Sequence, residues 1–102
     1  MSGCTSIGDN AFNSCKLLTT IGNLSNNITS IKESTFSECS SLTNIDLSNC
    51  TSIGNYAFNN CSLLTSVGDL SNVITIGAFA FRNCPLTNID LSNVTTIGGR
   101  AF

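Results

Sequence analysis

The apolar residues of this chain recur in a fixed order, with a period of about 22 residues. An isoleucine anchors each cycle, and in four of the five copies glycine follows it directly. A phenylalanine, a cysteine, a leucine, an isoleucine or valine, and a second leucine come next in that order. The anchors are Ile7, Ile31, Ile53, Ile76 and Ile97. Such self-similarity predicts a repeat protein, in which each unit buries its apolar face only by stacking on its neighbours.

Each cycle contains several kinds of local pattern. The segment Leu42-x-x-Ile45-x-Leu47 alternates like a strand with one buried face. The Ser-Asn pair that follows it and the later Ile-Gly step both predict corners. The A-F-x-x-C-x-x-L segment spaces its apolar residues three to four apart, which predicts a short helix or a 3₁₀ turn over the core. The predicted strand centres lie near Thr20, Asn44, Ser66 and Asn88.

The segment Leu42–Cys61 reads LTNIDLSNCTSIGNYAFNNC and resembles the BspA-like subclass of leucine-rich repeats. Matches to that consensus run from Cys4 to Phe102. The resemblance implies a right-handed α/β solenoid with a four-strand parallel sheet on its concave face. Short turns, strands or 3₁₀ helices are expected elsewhere. We expect one domain over residues 1–102, with repeats at about 4–27, 28–49, 50–72 and 73–93 and a partial copy at 94–102.

The resemblance also implies a function. Proteins of this subclass are non-enzymatic surface or secreted proteins that bind other macromolecules, often as adhesins. The leading prediction is a module for protein–protein interaction or adhesion at a cell surface, within a longer secreted or surface protein. Its partner would be a protein or another host surface macromolecule. The alternative is a structural spacer or truncated fragment that self-associates through uncapped ends and has no ligand of its own.

Composition narrows the choice of function. The chain has 4 basic and 6 acidic residues, a net charge of -2 and no histidine. Nucleic-acid binding is therefore not predicted, since it requires a basic surface. No apolar run reaches the ~20 residues that span a bilayer, and no signal-peptide pattern is present, so a cytoplasmic location stays open. Without a histidine base or ligand, we predict no enzyme activity, no metal and no cofactor.

The six cysteines fall into columns of the repeat. Four share one column, and the other two share a column with isoleucine and valine. A position that accepts Cys, Ile and Val is a small buried apolar site, which predicts buried thiols rather than a disulfide framework. A disulfide between stacked copies stays open as the alternative. The four are Cys15, Cys39, Cys61 and Cys84, and the two are Cys4 and Cys50.

One acidic position recurs on the outward side of the predicted strand. Asp46, Asp69 and Asp90 occupy it, Asn23 takes the same place in the first copy, and two further asparagines flank it. This pattern predicts a binding surface on the concave face for a basic partner or a cation. The competing interpretation is a solvating surface that keeps the sheet soluble. We call the set the acidic stripe, and it comprises Asn23, Asn44, Asp46, Asp69, Asn88 and Asp90.

Overall fold

The computed structural model describes residues 6–21, 28–87 and 89–102. Within them lie four two-residue strands, which form one parallel sheet in the order β1-β2-β3-β4. From Ile31 onward, each anchor isoleucine pairs with the anchor isoleucine of the next repeat. The predicted four-strand parallel sheet, with one strand per repeat, is confirmed. The strands are β1 (Ser30–Ile31), β2 (Ser52–Ile53), β3 (Thr75–Ile76) and β4 (Thr96–Ile97).

The sheet does not lie where the sequence pattern placed it. The predicted strand centres Thr20, Asn44 and Ser66 form only single parallel bridges, from Thr20 to Asn44 and from Asn44 to Ser66. The fourth centre, Asn88, lies outside the described residues. The sheet lies instead at the two residues that end with each anchor isoleucine, and the Ile-Gly step leads from the strand into the predicted corner.

Close approach of neighbouring repeats explains the glycine at this step. A Cβ atom added to Gly77 would lie 2.5 Å from the backbone nitrogen of Asn55 in the preceding repeat. The glycine N–H groups continue the ladder, from Gly54 to the Ile31 carbonyl at 2.7 Å and from Gly77 to the Ile53 carbonyl at 2.8 Å. The glycine therefore ends the strand, packs against another backbone and opens the turn that follows, with the Ala57 N–H bonded to the Gly54 carbonyl at 3.2 Å.

The A-F-x-x-C segments fold as consecutive turns, and the part of the chain that the structure describes contains no helix. In the third repeat, the N–H groups of Ala57 and Cys61 bond to carbonyls three residues earlier. Those of Tyr56, Phe58 and Asn60 bond to the next repeat at 2.7–2.9 Å. Tyr56 and Asn60 have φ of 58° and 62°, which no right-handed helix accommodates. The expectation of short elements outside the sheet is confirmed, and they are turns and not the helix or 3₁₀ turn that the apolar spacing indicated, because two successive turns produce the same spacing.

Stacked columns of identical side chains make the core. The phenylalanines stack from Phe12 to Phe102 with ring centroids 5.2–5.5 Å apart, and Phe36, Phe58 and Phe81 are almost wholly buried. The leucine and isoleucine columns pack beside them in one continuous cluster. No single repeat has a core of its own, because each inner ring packs between the rings of the adjacent repeats.

The predicted Ser-Asn corners are confirmed in three repeats. A turn closes between Leu47 and Cys50 at 2.9 Å, and equivalent turns follow in the next two repeats at 3.0 Å. The corner at residues 25–26 lies outside the described part of the chain. The asparagines do not act through a left-handed backbone. The side chain of Asn72 donates instead to the Ser48 carbonyl at 2.8 Å, and that of Asn93 to the Ser71 carbonyl at 2.7 Å.

Candidate functional site

Four members of the acidic stripe lie in the described residues, and all four are exposed: Asn44, Asp46, Asp69 and Asp90. The other two, Asn23 and Asn88, lie outside the described residues. Backbone hydrogen bonds from Ile45 to Ser66 at 3.1 Å and from Leu47 to Val67 at 2.9 Å hold the second and third repeats in register. These bonds bring the segments that carry the stripe residues of the two repeats side by side.

Each aspartate of the stripe forms the same local turn. One carboxylate oxygen accepts a hydrogen bond from the backbone N–H two residues later, at 3.0 Å for Asp46 and 2.9 Å for Asp69 and Asp90. This is the Asx turn, in which an Asp or Asn side chain stands in for a backbone carbonyl. The aspartates therefore initiate the Ser-Asn corners. The turn also fixes the direction of each carboxylate relative to the strand before it.

Hydrogen bonds favour the charged form of one carboxylate of the stripe. The backbone N–H of Ser92, together with its hydroxyl, lowers the pKa of Asp90 below its ordinary value, because both hydrogen bonds favour the ionised form. None of the three aspartates forms an ion pair with a described residue. The three consecutive repeats thus display three negative charges that remain available to a partner.

An extra glycine in the third repeat keeps the stripe in register. Gly68 has a φ of 75°, a left-handed conformation that glycine adopts without steric cost. A Cβ atom at this position would lie 2.5 Å from a carboxylate oxygen of Asp46. The glycine therefore absorbs the inserted residue as a local bulge against Asp46. Asp69 can then form the same Asx turn as its counterparts.

The cysteines act as core residues. All five in the described part of the chain are free thiols: Cys39, Cys50 and Cys61 are buried, and Cys15 and Cys84 are half-buried. This confirms the prediction of buried thiols for the first three, whereas Cys4 lies outside the described residues.

The thiols of one column also link adjacent repeats. That of Cys61 donates to the Phe36 carbonyl of the preceding repeat at 3.1 Å, and Cys39 and Cys84 make equivalent contacts at 3.1 and 3.0 Å. Burial raises the pKa of the Cys50 thiol to about 11 and that of Cys39 above its usual value. A thiolate is the reactive form of cysteine, so these two side chains are poor nucleophiles at neutral pH.

Sequence reasoning missed an aromatic pair on the turn segments, in which Tyr56 is exposed and Phe79 is half-buried. Tyr56 and Phe79 occupy equivalent positions in consecutive repeats, and their rings stack with centroids 4.9 Å apart. The guanidinium of Arg82 lies over the Phe79 ring at 5.3 Å. The only signal was a variable column, three residues after each anchor isoleucine, that holds Asn10, Ser34, Tyr56, Phe79 and Arg100.

Parallel ladders between near-identical units, together with buried columns of leucine, isoleucine and phenylalanine, define a leucine-rich repeat protein. The family model described as BspA type Leucine rich repeat region matches residues 1–102 with 6 copies, and the chain belongs to this family. Leucine-rich repeats of this kind generally mediate protein interaction, are typically non-enzymatic and typically occur in surface or secreted proteins. No curated protein and no solved structure gives a significant match. Within the described residues, no helix is long and apolar enough to cross a membrane.

Proposed function

We propose that this chain is a non-enzymatic module that binds a basic segment of another protein at a cell surface, as an adhesion or recognition element. The binding surface is the acidic stripe, on the concave face of a right-handed solenoid. The single observation that carries the proposal is the repetition of one exposed, turn-fixed aspartate in three consecutive repeats. Membership of an interaction-mediating repeat family supports the same conclusion.

Charge favours a basic partner. Parallel strands lie about 5 Å apart, so equivalent carboxylates of adjacent repeats repel each other by about 1 kcal/mol when fully hydrated. Lysine or arginine side chains spaced along an extended segment would relieve this repulsion, and each would meet one aspartate. Because charge pairs at an exposed surface contribute chiefly to encounter rate and specificity, we expect the binding to weaken as salt concentration rises.

The Asx turns dictate how the proposal is tested. Alanine at Asp46, Asp69 and Asp90 would remove the turn acceptor as well as the charge. Asparagine keeps an oxygen acceptor in the same place and removes only the charge. A variant with Asp→Asn at all three positions therefore separates binding from folding. The matched control removes three acidic charges elsewhere, by Asp9→Asn, Glu33→Gln and Glu38→Gln.

The experiment begins with a random peptide library displayed on phage and selected on the immobilised protein at low ionic strength. We expect basic peptides to be enriched. In calorimetric titration with the synthetic peptide, the triple asparagine variant should bind at least about tenfold more weakly, a loss of about 1.4 kcal/mol. The matched control should bind within about twofold of the original protein. Equal loss in both variants, or none in either, would contradict the assignment of the stripe.

Self-association is the second candidate. The last repeat exposes 49 % of Ile97 and 50 % of Phe102, and Phe102 continues the buried phenylalanine stack. A second copy that stacked on these side chains would bury them as the internal repeats bury theirs. Sedimentation velocity over a hundredfold concentration range tests this directly. A monomer throughout the range excludes the second candidate and leaves the binding proposal in place.

A further inference from the structure

A second surface feature lies on the turn segments of the third, fourth and fifth copies. Tyr56 is 39 % exposed, and its ring stacks on that of Phe79 with an angle of 6° between the planes. Arg82 reaches over Phe79, and Arg100 follows Phe79 in the same column of the next copy. Both arginines are exposed. We call these four residues the aromatic–arginine patch.

Backbone strain marks the two aromatic residues. Tyr56 and Phe79 both have a φ of 58°, in the left-handed region that bulky side chains rarely adopt. In the first repeat the equivalent residue is Asn10, with a φ of 59°, and asparagine is among the residues best suited to this conformation. The turn itself therefore does not require an aromatic side chain. The same conformation recurs at Ser34 and Arg100, with φ of 56° and 54°, so the strain comes from the turn and the aromatic side chains are not there to produce it.

The patch differs in charge from the rest of the molecule. The turn segments 54–61, 77–84 and 98–101 contain Arg82 and Arg100 but no acidic residue. The corresponding segments of the first two repeats contain Asp9, Glu33 and Glu38. Within the C-terminal copies, the turn segments thus carry two positive charges, whereas the acidic stripe carries its negative charges on a different segment of the repeat.

The geometry points to a binding site for an acidic peptide segment of a partner protein, one that places a carboxylate beside an apolar side chain. Arginine binds carboxylates through paired hydrogen bonds, and tyrosine and arginine are the residue types most enriched at protein-binding hot spots. No pocket opens among the described residues, which suits an extended chain better than a small molecule. One face of each ring is already against the other ring, so the pair leaves no gap between the rings for a sugar to enter.

Fluorescence anisotropy with a labelled peptide tests this site. The probe is Gly-Glu-Leu-Glu-Phe-Glu-Gly, and its control replaces each glutamate with glutamine. One variant combines Tyr56→Asn and Phe79→Asn, and another is Arg82→Gln. Ser34→Asn, in the same column, controls for the backbone change. Lys32→Gln controls for the loss of one positive charge elsewhere.

We expect the glutamate probe to bind and the glutamine probe to bind at least about tenfold more weakly. The double asparagine variant and Arg82→Gln should each lose at least about tenfold in affinity, whereas both controls stay within about twofold. The double variant should melt at the same temperature as the original protein or higher, because asparagine fits the left-handed turn. Probe binding should survive asparagine at the three aspartates of the stripe, so this site and the proposed function can fail separately.

Three results would overturn the site. One is undiminished probe binding by Arg82→Gln, an exposed substitution that leaves the core untouched. Another is a lower melting temperature of the double variant with unchanged affinity, which would make the ring pair a packing element only. The third is binding of sialyllactose without binding of the peptide, which would identify an anionic glycan as the ligand.

Discussion

At the scale of single residues, the anchor glycines serve contact between repeats. Gly77 faces the backbone of the preceding repeat, where a Cβ atom would lie 2.5 Å from the nitrogen of Asn55. Gly8 occupies the equivalent place in the first copy, and a Cβ atom there would meet nothing within 4 Å. The same residue type in the same column therefore faces two different steric environments.

Alanine substitution should separate these two environments. Gly77→Ala forces neighbouring backbones apart, and we expect it to lower the free energy of unfolding by about 1–3 kcal/mol, as overpacking does. Gly8→Ala should change it by less than about 0.5 kcal/mol. Urea denaturation followed by circular dichroism measures both variants. Equal losses would show that the glycine column serves something other than close stacking.

The cysteines yield a prediction about reactivity and pH. Cys50 is buried with its pKa raised to about 11, so its thiol should resist iodoacetamide at pH 8 in the folded protein and react after unfolding. The folded state holds this proton more tightly than the unfolded state does. The associated stability is therefore complete below the unfolded pKa of 9.0 and is lost as pH rises through about 11.

Mass spectrometry of the alkylated peptides, with Cys15 as the half-buried comparison, measures the reactivity. Denaturation curves between pH 8 and 11 measure how the free energy of unfolding changes with pH. Rapid alkylation of folded Cys50 at pH 8, or stability that rises over this interval, would show that the site is open to solvent.

At the scale of the repeating element, the phenylalanine stack is the main structural support. Phe58 is fully buried between Phe36 and Phe81, with ring centroids 5.3 and 5.2 Å away. Removal of an inner ring therefore eliminates two stacking contacts. Phe102 packs on Phe81 alone and leaves half of its surface exposed.

Truncation of the two rings should have unequal effects. We expect Phe58→Ala to cost about 3–5 kcal/mol, since a large buried side chain leaves a cavity that the stack cannot fill. Phe102→Ala should cost less than half as much, because part of its surface is already in water. Differential scanning calorimetry compares the two variants. A cost at Phe102 equal to that at Phe58 would argue that the stack is not the cooperative core.

The elements also show how far sequence alone could reach. Periodicity identified the columns, the parallel sheet and the Ser-Asn corners, and the resemblance of the repeat motif identified the family. It misplaced the strands, because the Ile-Gly step reads locally as a turn and only the neighbouring backbone reveals why glycine is needed at Gly77. It also favoured a helix where nine non-glycine residues adopt positive φ, since an apolar spacing of three to four cannot distinguish successive turns from a helix.

The candidate site was predictable in composition but not in geometry. Recurrence singled out Asp46, Asp69 and Asp90 as an acidic column. That each carboxylate also closes an Asx turn depends on the backbone after it, which the pattern does not specify. The aromatic–arginine patch could not be predicted from recurrence, because its column changes residue type in every copy.

At the scale of the whole molecule, the repeats display two surfaces of opposite charge on different segments. The aspartates of the acidic stripe lie in the second to fourth repeats, and the aromatic–arginine patch begins in the third. A partner with both basic and acidic segments could bind both surfaces. The basic peptide tests the stripe and the glutamate peptide tests the patch, so the two contributions to binding are measured separately. The function proposed for this chain requires binding through the stripe alone.

The most direct test of that claim is a titration of ¹⁵N-labelled protein with the selected basic peptide, followed by two-dimensional NMR. We expect amide shifts to concentrate at Asn44, Asp46, Asp69 and Asp90 and to disappear in the triple asparagine variant. Ser34 and Asn83, on the turn segments, should stay unchanged. Shifts confined to the turn segments, or persisting without the three carboxylates, would contradict binding through the acidic stripe.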